Sequence, residues 1–434
     1  MSGEIVEVEQ LENGLQAAFV HLPHFRTHSA RLTVNAGSAH EVSGEYGAAH
    51  FLEHVSFRGT DTMPTEAEVH YYAEERGLRR NAETGQTSTI FVADGYELET
   101  VASFVSQVAL RPTLTDGSLE GERNPIIDEI RGLASKAGYF PAIRHNFAIR
   151  GKLYSRPVEA SPEDTQNMSP DAIRAFHSRH YKLSNAVLVL CSAESVERQR
   201  EVAETLLDGY KSDDTEKPQR VDFDDFNPGG LPAALEQIDR PLTDRTIIGI
   251  SYGLPETTSV REQLNYKLIS LILSRATHSR LRRELALCYG AGAGVSRQAD
   301  LSFGRNKNWS HFSASTGLAG QDSLTALNTM YDDVLHQDLP QSIFESILIG
   351  FSRETDHLMQ SPPELVADKV RSMLGASRRT EVGLSEIQDF AANVSLASLR
   401  EIHRSMVGTK PLIQATSPDP TVLASIGEWA SLRV

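Results

Sequence analysis

The feature of this 434-residue chain that most constrains its fold is a segment that recurs near the end of the sequence. Residues 169–181 read SPDAIRAFHSRHY, and residues 395–407 read SLASLREIHRSMV. Three polar positions coincide at one offset: Ser169 with Ser395, Arg174 with Arg400, and His177 with His403. A strand-like apolar run follows each segment. Chance similarity of one amphipathic helix is the alternative, but an internal duplication of roughly 200 residues is the more economical explanation.

A change in composition between the two repeats predicts two domains. Residues 211–234 are rich in Asp, Pro and Gly and have little apolar periodicity, as linkers do. A strand, turn and helix pattern that begins near residue 29 starts again near residue 245. A chain of this length is also too long for one ordinary hydrophobic core. We therefore predict an N-terminal domain at 1–212, a linker at 213–234 and a homologous C-terminal domain at 235–434.

The first half mixes strand-like and helix-like patterns. The strand-like stretches are 29–35 and 87–94, and the helix-like stretches are 48–57, 98–110, 118–134 and 170–179. A further helix is predicted between Thr65, which would cap its N-terminus, and Gly77, which would end it. Because strands and helices do not alternate strictly, the fold class α+β is favoured over a doubly wound parallel sheet.

The acidic charge balance argues against nucleic-acid binding. Lys and Arg total 42 against 58 Asp and Glu, a formal charge of −16, whereas phosphate contacts need clustered cations. The apolar runs, such as AVLVLC from Ala186, are too short to span a bilayer. Only two cysteines are present, and the first ten residues are acidic and lack an apolar segment. We therefore expect a cytoplasmic protein with no membrane partner.

The clearest chemical signal is the pentapeptide His50-Phe51-Leu52-Glu53-His54. On a helix, residues i and i+4 lie on one face about one turn apart, so the two imidazoles can bind one Zn²⁺. Glu53 lies beside them and can take a proton from an attacking water without being a metal ligand. A polar face of a surface helix is the alternative, but the neighbouring residues are largely apolar. The pattern predicts a catalytic zinc helix, in the inverse of the commoner His-Glu-x-x-His order.

A catalytic zinc usually has three protein ligands, so a third ligand is expected on another element. The helical stretch 118–134 offers Glu122 and Glu129, which are seven residues apart and so lie near one helical face. One could bind the metal while the other orients a ligand or the water. Asp128 is a competitor, although it lies about 100° around the helix from Glu129. Spacing alone leaves the choice open.

Four blocks of the sequence resemble the pitrilysin and mitochondrial-processing-peptidase family of zinc endopeptidases. They are AGSAHEVSGEYGAAHFLEHVSFRGT around the metal helix, Asn81-Ala82-Glu83-Thr84, ERNPIIDEI from Glu122, and the run from Ser279 to Tyr289. The resemblance covers nearly the whole chain. It implies two homologous α/β-sandwich domains, each a mixed or antiparallel sheet covered by helices, that enclose a peptide-binding chamber. The first domain would bind zinc, and the second would lack metal but contribute substrate-binding residues.

The resemblance also assigns roles to individual residues. It implies that Glu129 joins His50 and His54 as the third zinc ligand, and that Glu122 is a catalytic-site carboxylate supporting the ligands. It further implies that Asn81 and Ala82 lie on an edge strand that pairs with the substrate backbone. The free N–H and C=O groups of an edge strand are suited to that pairing.

The last block is implied to hold a substrate-binding Arg and Tyr. The spacing from Ser279 to Tyr289 is shorter than is usual in the family, so either Arg282 or Arg283 could be the functional arginine. We favour Arg282, which is seven residues before Tyr289 and would be near it on a continuous helix. Arg282 and Tyr289 would hold substrate carbonyls and stabilise the oxyanion. The corresponding helix of the second half, near residues 260–273, has no histidine pair, so one zinc per chain is expected.

These features predict a zinc-dependent metalloendopeptidase that hydrolyses short or unfolded peptides, with water activated by zinc and by Glu53 as general base. The alternative is a catalytically silent or partner-dependent subunit of a heteromeric peptidase with the same fold, although the intact zinc motif argues against it. A metal-storage or metal-sensing protein would explain the ligands but not Glu53 or the edge strand. The resemblance permits a monomer, a homodimer or a heterodimer with a related subunit.

Overall fold

The computed structural model of the chain contains two β-sheets, each associated with helices. The residues it describes are 6–136, 139, 156–207, 234–237, 246–255, 259–300, 305–316, 320–353, 358, 360–374 and 385–432. Within this part of the chain, no helix combines the length and the apolar character needed to cross a membrane.

The first sheet lies in the N-terminal half. Its strands are β1 (Val6–Gln10), β2 (Gln16–His21), β3 (His28–Val34), β4 (Arg79–Thr84), β5 (Thr89–Gly95) and β6 (Ala186–Ser192). They are arranged in the order β1-β2-β6-β3-β5-β4. β2 and β6 are parallel, whereas the other neighbouring pairs are antiparallel. β6 is buried along its whole length, as its continuous apolar run indicates.

The helices of the first half accompany this sheet. They are α1 (Ala48–Val55), α2 (Glu66–Glu75), α3 (Leu98–Leu110), α4 (Asp116–Ala134), α5 (Pro162–Asn167), α6 (Pro170–His180) and α7 (Val196–Leu207). The predicted N-cap of α2 is confirmed, because the Thr65 hydroxyl accepts the N–H of Glu68 while the Glu68 carboxylate accepts the N–H of Thr65. Gly77 follows the helix with a positive φ of 61°, which a glycine adopts readily.

The second sheet repeats the arrangement of the first. Its strands are β7 (Ala234–Gln237), β8 (Thr246–Leu254), β9 (Cys288–Asp300), β10 (Arg305–Thr316) and β11 (Leu412–Ser417). Their order, β7-β11-β8-β10-β9, matches the order β2-β6-β3-β5-β4 of the first sheet. β7 and β11 are parallel, as β2 and β6 are. The match in both order and direction supports the predicted duplication.

Helices also accompany the second sheet. They are α8 (Val260–His278), α9 (Gly320–Asn328), α10 (Gln341–Ser352), α11 (Pro363–Leu374), α12 (Ser385–Asn393), α13 (Leu396–Val407) and α14 (Pro420–Ser431). α8 continues into a π-helical turn at Ser279–Glu284, and α9 continues into another at Thr329–Leu335. α13 is the counterpart of α6, since each precedes the strand at the same position of its sheet.

The arginines of the repeated segment make the same contact in both halves. On α6, Nε and Nη2 of Arg174 donate to the carbonyl oxygen of Leu114 at 3.1 and 3.0 Å. On α13, Nε and Nη2 of Arg400 donate to the carbonyl oxygen of Leu339 at 3.1 and 2.8 Å. Each arginine therefore links its helix to the residues just before another helix, which is α4 in the first half and α10 in the second. The identical residues found in the sequence have kept one structural role.

The central strands β3 and β6 of the first sheet are buried on both faces. On one face, Phe19 and Leu32 belong to an apolar cluster formed with helices of the first half. On the other face, Val20 and Val189 belong to a second cluster that includes Val370 of α11. α11 lies against β3 and β6, so the second half supplies cover for the first sheet. The predicted α+β class is confirmed. The predicted linker, 213–234, lies outside the described residues except for Ala234, and the domain boundaries stay predictions.

A buried histidine of the repeat makes the fold sensitive to acid. His403 is 1% exposed, and burial together with the nearby His336 lowers its pKa to about 4. An unfolded imidazole has a pKa of about 6.5, so between pH 6.5 and 4 only the unfolded state takes up this proton. Its contribution to stability is therefore complete above about pH 6.5 and is lost as the pH falls through this window. We expect His403→Gln to reduce the slope of unfolding free energy against pH by roughly 1.4 kcal/mol per pH unit.

Urea unfolding at several pH values between 7 and 4.5 would measure this slope in the wild type and in the variant. His24→Gln is the matched control, because His24 is exposed. The control should keep the wild-type slope. An unchanged slope in His403→Gln would show that this histidine does not titrate differently on unfolding.

Candidate metal centre

The helix α1 presents the two histidines of the pentapeptide, and a buried glutamate holds its first turn. Glu41 accepts the N–H of Gly47 at 2.9 Å and the N–H of Ala49 at 3.0 Å, which satisfies donors that a helix N-terminus leaves free. Gly47 precedes the helix with a φ of 93°. A Cβ there would approach the Cβ of Ala160 to 3.0 Å, so glycine suits the position for both reasons.

Three side chains converge as potential metal ligands. His54 Nε2 lies 3.2 Å from Oε2 of Glu129, and His50 Nε2 lies 3.8 Å from the same oxygen. One ligand atom from each residue lies within 4.8 Å of the other two. Two imidazoles and one carboxylate form a donor set that fits a catalytic zinc. Among the residues that the structure describes, this is the one group of three or more that meets this criterion.

The structure separates the roles of the carboxylates on α4. Glu122 lies on the other side of the His54 ring, with Oε2 3.3 Å from Nδ1. It also forms an ion pair with Arg58. Asp128 is directed away and pairs with Arg131 at 3.3 Å, so it does not compete as a ligand. The arrangement agrees with Glu129 as ligand and Glu122 as the carboxylate that supports it.

Burial and neighbouring charges shift the pKa values of the two histidines and of Glu122. Burial, with a smaller effect from His54, lowers the pKa of His50 to about 3, so its imidazole is neutral near neutral pH. Burial opposes protonation of His54, but the Glu122 hydrogen bond and the surrounding carboxylates outweigh it and raise the His54 pKa. Burial also acts to raise the pKa of Glu122, but His54 and Arg58 outweigh it and lower that pKa. Metal ligands of this kind must be deprotonated, which neutral His50 already is.

Glu53 is next to the ligands without belonging to their cluster. Its carboxylate accepts a hydrogen bond from the Thr84 hydroxyl at 2.5 Å, which connects α1 to strand β4. Burial raises the pKa of Glu53, although the Thr84 hydrogen bond and the charge of His54 act in the opposite direction. A carboxylate with a raised pKa close to a metal site has the properties of a general base.

Strand β4 is at the edge of the first sheet. It pairs with β5 and is last in the strand order, so its other side has no strand neighbour within the described part of the chain. Asn81 is exposed on this strand and Ala82 is partly buried. Thr84 is on the same strand and contacts Glu53. The edge strand that contains Asn81 and Ala82 therefore lies beside the candidate metal ligands, and its pairing with a substrate stays a prediction.

Arg282 and Tyr289 are in contact, but they do not lie on one continuous helix. The helix does not persist to Tyr289, because the π-helical turn ends at Glu284 and β9 begins at Cys288. The guanidinium carbon of Arg282 nevertheless lies 4.5 Å from the centre of the Tyr289 ring, a cation–π contact. Tyr289 is 74% exposed. Within the described residues, no hydrogen bond, ion pair or ring contact joins this pair to the metal ligands.

Arg58 contacts the candidate site but was not singled out from the sequence. It follows α1 and contacts both Glu122 on α4 and Glu66 on α2. A single arginine after a helix has no distinctive spacing, because both of its partners come from other elements. Arg58 and Thr84 both lie in matched blocks, but only the fold shows that Arg58 reaches Glu122 and that the Thr84 hydroxyl reaches Glu53.

Two family models match the chain. The model described as insulinase (peptidase family M16) matches residues 17–161, and the model described as peptidase M16 inactive domain matches residues 167–348. The second match begins before α6 and β6, which are packed in the first half of the structure. Together the two matches cover most of the chain.

Two curated relatives match over less than half of the chain. Cytochrome b-c1 complex subunit 1 of Mus musculus is 29% identical over 197 residues, covering 45% of this chain and 40% of that protein. Mitochondrial-processing peptidase subunit beta of Lentinula edodes is 26% identical over 191 residues, covering 43% of this chain and 41% of that protein. The chain thus spans less than half the length of these curated relatives.

A solved structure matches nearly all of the fold. The crystal structure of a protease from Helicobacter pylori superposes with a TM-score of 0.81 at 19% identity, covering 96% of this chain and 100% of that one. At this identity the likeness establishes the fold, and function has to be argued from the site.

Proposed function

Because the chain belongs to the insulinase family of M16 peptidases, we propose that it is a zinc-dependent endopeptidase that hydrolyses short or unfolded peptides. The observation that carries the proposal is the convergence of His50, His54 and Glu129, with Glu53 beside them. Three protein ligands leave a position open for chemistry, as catalytic zinc sites do. The resemblance to the pitrilysin and mitochondrial-processing-peptidase family is therefore supported by the family match and by the site.

We assign a separate role to each residue of the site. His50, His54 and Glu129 would hold one Zn²⁺ per chain, and the ion would provide Lewis-acid chemistry for the scissile carbonyl and the attacking water. Glu53 would take the proton from that water and pass it to the leaving amine. Glu122 would keep the His54 ring in its orientation through Nδ1.

The edge strand β4 would position the substrate. An extended peptide can add to it as a further strand, with backbone hydrogen bonds to the segment containing Asn81 and Ala82. Because Thr84 on this strand also contacts Glu53, a peptide bound here would lie near the general base. We assign Arg282, rather than Arg283, to the substrate carbonyls together with Tyr289, because the structure places Arg282 against that ring.

The wider setting is also part of the proposal. The two halves would form a chamber that admits short or unfolded chains. A homodimer or a heterodimer with a related subunit would be compatible with the match to a processing-peptidase subunit. We keep a cytoplasmic location as part of this proposal.

A second candidate is a catalytically silent or partner-dependent subunit. The match to a subunit of the cytochrome b-c1 complex favours this possibility. The intact set of His50, Glu53, His54 and Glu129 favours the enzyme. The two candidates make different predictions about the isolated protein.

Metal removal tests the proposal. We expect the purified protein to hold about one zinc per chain and to cleave a mixed peptide library, because the three ligands form one site. Treatment with 1,10-phenanthroline should lower cleavage at least about 100-fold, since the metal supplies the main electrophile. Addition of zinc should restore it. Zinc content by mass spectrometry of the metal and cleavage by peptide mass spectrometry are the measurements.

The isomer 1,7-phenanthroline, which does not chelate, is the control for nonspecific inhibition. Zinc binding without cleavage at high protein concentration would favour the silent or partner-dependent subunit. Absence of bound zinc together with metal-independent cleavage would contradict the assignment of the site.

A further inference from the structure

Arg58 lies outside the ligand set but has two glutamate partners on different helices. Its Nε and Nη2 both contact Oε1 of Glu122 on α4, and its Nη1 contacts Oε2 of Glu66 on α2. The side chain of Arg58 is 25% exposed and that of Glu122 is 10% exposed. The contact is therefore more sheltered than a surface ion pair, and solvent screens it less.

The second oxygen of Glu122 faces His54. Oε2 lies 3.3 Å from Nδ1 of His54, while Nε2 of that ring lies 3.2 Å from Glu129. One oxygen of Glu122 is thus engaged by Arg58 and the other by the ring of a metal ligand. The contacts form a continuous series from Arg58 through Glu122 to His54.

We propose that Arg58 is a positioning residue that holds the Glu122 carboxylate, and through it the His54 ring, in the orientation that binds zinc. The inference rests on the proposed function, since it assumes that His54 binds the metal. A planar guanidinium is suited to hold a carboxylate because it presents several donors in a rigid fork. With Oε1 held, Glu122 cannot rotate freely, and Oε2 remains directed at Nδ1.

The charge of Arg58 has an opposing effect, because a guanidinium near the site repels a dication. Glu66 and Glu122 balance that charge, so we expect orientation to dominate. Loss of a residue that orients a metal ligand typically weakens metal binding by about 10–100-fold. Because Arg58 acts through Glu122, we expect Arg58→Met to weaken zinc affinity by about tenfold, at the lower end of this range.

A purely structural role is the competing explanation, in which Arg58 only joins α1 to α2 through Glu66. A double-mutant cycle on zinc affinity separates the two roles. The variants are Arg58→Met, Glu122→Gln and the double variant, with Arg58→Lys as the conservative change. Arg198→Met is the matched control, because Arg198 also bridges two glutamates, Glu99 on α3 and Glu201 on α7, away from the metal ligands.

Zinc affinity is measured by competition with a chromophoric chelator, so the readout does not depend on activity. We expect zinc affinity to fall about tenfold in Arg58→Met and by less in Arg58→Lys. The zinc affinity of Arg198→Met should equal that of the wild type. In the Glu122→Gln background, Arg58→Met should add little, because the carboxylate through which it acts is already absent.

Three results would overturn the inference. Unchanged or tighter zinc binding in Arg58→Met would show that the guanidinium does not position the ligand. Independent, multiplicative losses in the double variant would show that Arg58 does not act through Glu122. A wild-type protein that binds no zinc would overturn the proposed function as well, whereas the first two results leave that function standing.

Discussion

We expect Glu53→Gln to keep its zinc and to lose peptide cleavage by about 10²–10⁴-fold, the usual contribution of a general base. The amide has the shape of the carboxylate but cannot take a proton from the attacking water. Zinc should remain because Glu53 is not one of the three clustered ligands. The fold should tolerate the change, since burial disfavours the charged form of Glu53. Zinc content and kcat/KM on one cleaved library peptide are the measurements.

Two further variants serve as the controls for this prediction. Glu129→Gln should lose zinc and activity together, because it removes a ligand. Glu74→Gln, at an exposed position on α2, should behave as the wild type. Cleavage by Glu53→Gln at the wild-type rate would remove Glu53 from the mechanism. Joint loss of zinc and cleavage in that variant would indicate that Glu53 supports the metal instead.

The second large effect concerns the contact between the two halves. Arg31 on β3 is 2% exposed, and it donates to Asp94 at 2.7 Å and to Asp368 on α11 at 2.9 Å. Replacing Arg31 by Met would leave Asp94, which is 14% exposed, without its cation. Removing one member of a buried ion pair typically costs about 3–5 kcal/mol, because the remaining charge is uncompensated. We expect Arg31→Met to lower the free energy of unfolding, measured by urea denaturation, by about that amount.

The control for this prediction is Arg200→Met. Arg200 also pairs with two carboxylates, Glu7 and Glu9, but its side chain is 30% exposed, so a cost below about 1 kcal/mol is expected. The cost of Asp368→Asn in unfolding free energy should lie between the costs of these two variants. Asp368 is half exposed, and Arg31 would still form its ion pair with Asp94. Equal costs for Arg31→Met and Arg200→Met would show that the contact between the halves is not held by this ion pair.

Local sequence signals predicted individual elements well. The predicted helix over 98–110 coincides with α3, and Thr65 caps α2 as expected. Both depend on neighbours within one or two turns, such as the Glu68 that completes the capping box. The helix on which the argument for a contact between Arg282 and Tyr289 depended does not continue to Tyr289. A π-helical turn and then β9 replace it, and the pairing of β9 with β10 joins residues far apart in sequence.

Local spacing also predicted some residues of the candidate site but not others. His50 and His54 were recognisable because their spacing places them on one face of one helix. The spacing of α4 alone could not choose between Glu122 and Glu129, since both lie near one helical face. The choice depends on which one faces both histidines, and that is set by the packing of α4 against α1. Arg58 was missed because its two partners lie on two other helices.

The sequence by itself therefore predicted the helix with the histidine pair, the duplication and the approximate bounds of several elements of the first half, because these depend on residues within a few turns or on direct repetition. The family resemblance implied Glu129 and the edge strand, but the tertiary structure decided the contacts themselves: Glu129 with both histidines, Thr84 of the edge strand β4 with Glu53, and Arg31 with Asp368 across the two halves. These features join residues that are distant along the chain. Their distances follow from strand order and helix packing, which no local pattern encodes.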